Sequence, residues 1–103
     1  MPVMGDLDRA SVIAALDADK QLRVFLRGGV IESLPAKASK RRLLLDEVAQ
    51  AFEPGVRYGE RDVNAFLGSI HHDHCALRRY LVDEDLMDRA DGQYWRTGGT
   101  VHS

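Results

Sequence analysis

Residues 71–82 read HHDHCALRRYLV, and this run gathers most of the reactive side chains in the sequence. It holds three of the four histidines, the single cysteine and the adjacent arginines Arg78 and Arg79. Imidazole and thiolate suit zinc and other soft or borderline metals, and a structural zinc site needs about four donors in tetrahedral array. On a helix, His71, His74 and Cys75 stand at i, i+3 and i+4 and share a face, so they are a candidate metal set. Asp73, His72, His102 or a group from a second subunit could complete it. Against this, the chain carries no second ligand pair at the usual spacing. The competing reading makes Asp73 a helix cap, packs Cys75 and leaves the histidines as exposed polar groups or a pH-sensitive surface.

A second chemistry is nucleic-acid contact. A helix starting near Asp73 would carry His74, Arg78 and Arg79 outward. Arginine reads guanine in bidentate fashion or grips phosphate. Lys37, Lys40, Arg41 and Arg42 form a basic knot that opens the preceding helix region, and Arg96 follows an aromatic pair near the C-terminus. Six phosphate contacts would give a log–log salt slope of roughly −5. The opposing expectation pairs Arg79 with Asp83 at i, i+4, and ties Arg78 or Arg89 to the acidic run Asp83, Glu84, Asp85, Asp88 and Asp91.

Catalysis is not expected. His74 and Cys75 are neighbours, and adjacent helical side chains point about 100° apart, which argues against a nucleophile–base pair. No phosphate-binding glycine loop, G-x-S-x-G or HExxH is present.

The elements that would position these residues follow from apolar spacing. Val12, Ile13 and Leu16 mark a helix over 8–18, with Asp8 or Ser11 as cap. Leu22, Phe25 and Leu26 predict a second short helix that Gly28-Gly29 stops. Residues 30–34 read as a strand ended by Pro35. Leu44, Leu45, Val48 and Phe52 predict a helix from Ser39 to Phe52, broken by Pro54-Gly55. Gly59 caps a helix over ERDVNAFLGSI, with Tyr58 and Val63 at staple spacing. A further helix runs from Asp73 to about Asp85, and Asp91-Gly92 marks a tight hairpin.

The expected fold class is therefore α+β and mainly helical. An N-terminal helical extension (residues 1–27) precedes a winged-helix-like domain (28–97) of one strand, three helices and a β-hairpin wing, and residues 98–103 form a loose tail. The extension could pack on its own core or build a homodimer.

FLRGGVIESLPAKASKRRLLLDEVAQAFEPGVRYGERDVNAFL followed by HDHCALRRYLVDEDLMDRADGQYWR resembles the bacterial domain-of-unknown-function 2087 family over roughly residues 25–96. Its most specific parts are LPAK, YGERDVN, and D-x3-LRRYLVD followed by R-x4-YWR. The resemblance implies a place in transcription control, alone or joined to helix-turn-helix regulators. Gly59 stands where the family commonly has a serine or threonine cap.

Composition sets the remaining bounds. The chain has 103 residues, 45 % hydrophobic and 29 % charged, with a formal net charge of −2. That size suits one small domain, and a net negative balance disfavours strong non-specific nucleic-acid binding. No apolar run is long enough to span a bilayer, and MPVMGDLDRA lacks the pattern of a secretory leader. One cysteine excludes an internal disulfide and fits the cytoplasm. The expectation is a DNA-binding or regulator-associated domain without a cofactor. Its alternative is a dimeric interaction or ligand- and metal-sensing module.

Overall fold

A computed structural model describes residues 7–100. Helix α1 spans Arg9–Ala18, and a single 3-10 turn, Arg23–Phe25, leads into strands β1 (Leu26–Arg27) and β2 (Val30–Ile31). Then come α2 (Ala38–Ala49), β3 (Arg57–Gly59), α3 (Glu60–Ile70), α4 (His74–Asp83), β4 (Met87–Ala90) and β5 (Gln93–Arg96). The α+β, mainly helical class holds, and from α2 onward the order helix, strand, helix, helix, hairpin has the layout of a winged helix.

Local chemistry explains most boundaries. The Asp8 carboxylate accepts from the Ala10 and Ser11 amides at 3.0 and 3.3 Å and from the Ser11 hydroxyl at 2.7 Å, which starts α1. Asp73 accepts from the Ala76 amide at 3.0 Å and starts α4. At the other end of α4 the Leu86 amide bonds to Leu81 O and the Asp85 amide to Val82 O, both at 3.0 Å. With Asp85 at φ 59°, this is a Schellman stop that turns the chain into β4.

Two expectations about the N-terminal half are corrected. Gly28-Gly29 does not stop a helix. Both residues have positive φ (60° and 79°), and they form a two-residue turn pairing Leu26 with Ile31 and Arg27 with Val30. A Gly-Gly pair suits either role; pairing of the flanking strands decides it here. The expected strand over 30–34 is confined to Val30–Ile31 and lies in this hairpin, not beside the wing. The strand that joins the wing is β3, giving the sheet order β3-β5-β4. Three residues show no readable alternation, so β3 went unrecognised in the sequence.

One core unites the chain. Val12 and Leu16 of α1 and Leu22 cluster with Leu44, Phe52, Leu67 and Leu77. Phe52 is fully buried, with Tyr58 and Phe66 edge-on to it at ring distances of 5.1 and 5.6 Å. Asp91 and Gly92, at φ 53° and 74°, make the expected hairpin turn, and Tyr94 is buried behind it. Gly98–Thr100 does not hang free: the Asp46 carboxylate accepts from the Thr100 amide and hydroxyl, each at 2.7 Å. Residues 101–103 of the expected tail lie outside the described residues. Among the described residues no helix is long and apolar enough to cross a membrane.

Phe52→Ala should cost about 3–5 kcal/mol, a large share of a small domain's stability; urea unfolding followed by circular dichroism measures it. The Ser11 hydroxyl and backbone bonds hold the Asp8 carboxyl below the ordinary aspartate pKa. A depressed carboxyl stabilises the fold above its unfolded-state pKa, and that contribution fades as pH falls through the folded value. A carbon-detected NMR titration should find Asp8 titrating low, and Ser11→Ala should raise its midpoint.

Candidate nucleic-acid interface

The side of α4 that faces water follows from the side that does not. Leu77 and Leu81 are buried, so Cys75, Arg79 and Asp83 project outward, with His72 exposed just ahead of the helix. Arg79 makes no hydrogen bond or ion pair among the described residues, and the anticipated Arg79–Asp83 pair does not form. The acidic Asp83 and Asp85 flank this face at its C-terminal end, where both are exposed.

Arg78 behaves differently. Its side chain is only 20 % exposed, donates to Asn64 Oδ1 and lies 3.8 Å from the Glu60 carboxylate. The guanidinium also lies 5.7 Å from the centre of the Tyr94 ring, and the Tyr94 hydroxyl donates to Glu60 at 3.2 Å. Arg78 therefore ties α3, α4 and the wing together, and the outward placement expected for both arginines holds for Arg79 alone.

The basic knot is likewise divided. Arg41 donates to the carbonyls of Pro35 and Ala36 at 3.2 and 3.1 Å and covers the Tyr80 ring at 4.8 Å. Arg42 donates to the carbonyl of Glu84, the cap residue of α4, and pairs with the Glu84 carboxylate at 3.5 Å. A cation is favoured at that end of a helix, so Arg42 serves as an added C-terminal clamp. Lys37, the N-cap position of α2, is exposed, Lys40 is half-buried, and neither side chain makes a hydrogen bond or ion pair among the described residues.

Arg96 does not reach out from the wing. Nε donates to Gly98 O at 3.0 Å, Nη1 to Phe52 O at 3.4 Å, and Nη2 to Thr100 O. Three carbonyls occupy its fork. The wing itself is short and tethered, because the Glu60 amide donates to Gly92 O at its tip, at 2.9 Å.

The metal set is not assembled. His71 is buried, its Nδ1 is 2.7 Å from Ile31 O, and its ring lies against that of His72. Among the described residues no group of three His, Cys, Asp or Glu side chains could hold a metal, and His102 lies outside them. His71 closes α3 with an extended backbone, so the i, i+3, i+4 geometry assumed for a continuous helix does not apply. His74 Nε2 and Cys75 Sγ do meet, at 3.5 Å. The expectation that helical neighbours keep these two groups apart is thus corrected: at a helix start their side chains can converge. No third group orients the imidazole among the described residues.

Two further outward cations carry no local signal in the sequence: Arg57 lies over the half-buried Trp95 at 4.2 Å on the outer sheet face, and Arg61 is exposed on α3. Arg89, expected to pair with the acidic run, is exposed on β4 and forms no ion pair among the described residues. The clue to Arg57 was its register opposite Trp95 across β3 and β5, which is invisible until β3 is recognised.

Fold and surface together define a small module of winged-helix layout with one uncovered helix face and few free cations beside it. Residues 30–96 match the bacterial family described as "uncharacterized protein conserved in bacteria" (DUF2087), and the chain belongs to it. No curated protein and no solved structure matches the chain.

Arg78→Ala should lose about 2 kcal/mol, because it strands polar partners in a half-buried site. Arg79→Ala should stay within about 0.5 kcal/mol of the parent chain. Urea midpoints of the two variants check the contrast, and equal losses would contradict the assignment.

Proposed function

We propose that the chain is a cytoplasmic DNA-binding or regulator-associated domain acting in transcription control, and that it meets duplex DNA through the outward face of α4. The observation that supports this most is that α4 stands in the place of a recognition helix and carries the unpaired, exposed Arg79. His72 and His74 add donors beside it. Lys37 and Lys40 are the accompanying phosphate contacts, since neither is engaged elsewhere among the described residues. Arg41, Arg42, Arg78 and Arg96 leave the interface and join the scaffold. With about three phosphate contacts in place of six, the log–log salt slope falls to roughly −3.

A second reading has its own support: four of the arginines expected at DNA are spent internally on a chain of net charge −2. On that reading the module binds another protein chain, or a copy of itself, and not DNA.

Fluorescence anisotropy with a labelled random duplex at low salt separates the two. DNA binding should be measurable, should weaken roughly tenfold in Arg79→Ala, and should show the shallow slope given above. Absence of binding at about 50 mM salt would discard the DNA reading.

A further inference from the structure

We infer that the groove between α1 and the β1–β2 hairpin binds a small organic anion with an apolar body. This stands apart from the nucleic-acid reading, since it uses none of the same residues. The groove encloses about 560 Å³, within the range of small-molecule sites. Arg9, Arg23 and Arg27 line it together with Asp17, Ile13 and Leu26. Three cations against one carboxylate make this a locally positive surface on a net-negative chain.

The three guanidinium groups are not equivalent. Arg9 is held in place, with Nη2 donating to Gly29 O at 2.8 Å and Nε to Ser69 O at 3.3 Å; Nη1 has no protein acceptor among the described residues. Arg27 shares its charge with Glu32 at 3.4 Å. Arg23 is exposed, and its side chain makes no hydrogen bond or ion pair among the described residues. A carboxylate or phosphate can therefore be gripped between a fixed guanidinium and a free one, in the fork geometry that favours oxyanions. Ile13 and Leu26, both half-buried, offer the apolar wall. The turn beside them is open: a Cβ built at Gly28 or Gly29 would meet nothing within 4 Å, so a ligand can approach the backbone. Every one of these groove residues lies outside the region matched by the family. The site therefore belongs to the segment that precedes the shared domain.

Amide NMR titrations of the full chain test this, with hexanoate as probe and hexylammonium, inorganic phosphate and a short polyglutamate peptide as comparisons. Hexanoate should give saturable shifts centred on Arg23, Gly28 and Gly29, phosphate a weaker response at the same amides, and hexylammonium none. Arg23→Gln, which removes no internal bond, should weaken hexanoate about fivefold. Arg79→Gln should leave it unchanged. The proposal is overturned by any of four results: no saturation, equal response to hexylammonium, undiminished binding in Arg23→Gln, or saturation by the peptide alone.

Discussion

The arrangement depends most on how α4 is held. Leu77 and Leu81 bury one side of a helix only ten residues long, too short to persist by itself in water. Asp73 closes its first turn, the Schellman stop at Asp85 closes its last, and Arg42 clamps the final carbonyl from α2. Arg78 then fixes its rotation by reaching α3 and the wing at once. With rotation settled, the positions about 200° around the helix from Leu77, opposite the buried stripe, are settled too, and Arg79 and Cys75 have nowhere to go but water.

This tethering uses up charge. A guanidinium carries five donors, and carbonyls at loop and helix ends need partners that the regular backbone cannot give them. Arg41, Arg42 and Arg96 answer that need at Pro35, Glu84 and Phe52. A tally of basic residues therefore overstates the positive field on the surface. What stays outside is dispersed: Arg79 on α4, Arg57 over Trp95, Arg61 and Arg89 elsewhere. Any polyanion meeting α4 also meets Asp83, which weakens contact at that end and favours an approach centred on the histidine side.

Helices α3 and α4 and the wing turn were legible because each carries its signal locally. Val63, Phe66, Leu67 and Ile70 repeat at helical spacing, Asp73 is a strong cap, and Asp91-Gly92 is the residue pair a primed turn requires. What could not be read depends on partners distant in sequence. Gly28-Gly29 suits a helix stop as well as a turn until Leu26 is seen beside Ile31. Strand β3 exists because β5 pairs with it. The fates of Arg78 and Arg79 differ although they are neighbours, since only one has Asn64 and Glu60 beneath it.

The segment ahead of the family match is bound into the same body, and the join falls next to the histidine cluster. Arg9 reaches from the start of α1 to Gly29 and to Ser69 near the end of α3. Ile31 then meets His71 through a parallel bridge and through the imidazole contact at its carbonyl. His71 is thus committed to architecture while His72, one residue on, is exposed. A displacement of the hairpin would be felt first at Ser69 and His71, at the base of the turn that launches α4. Packed interiors transmit such shifts because they have little free volume to absorb them. The N-terminal hairpin therefore adjoins the start of the outward helix, while the wing holds its middle through Arg78 and Tyr94 and its tip is held at the far end of α3 by Glu60.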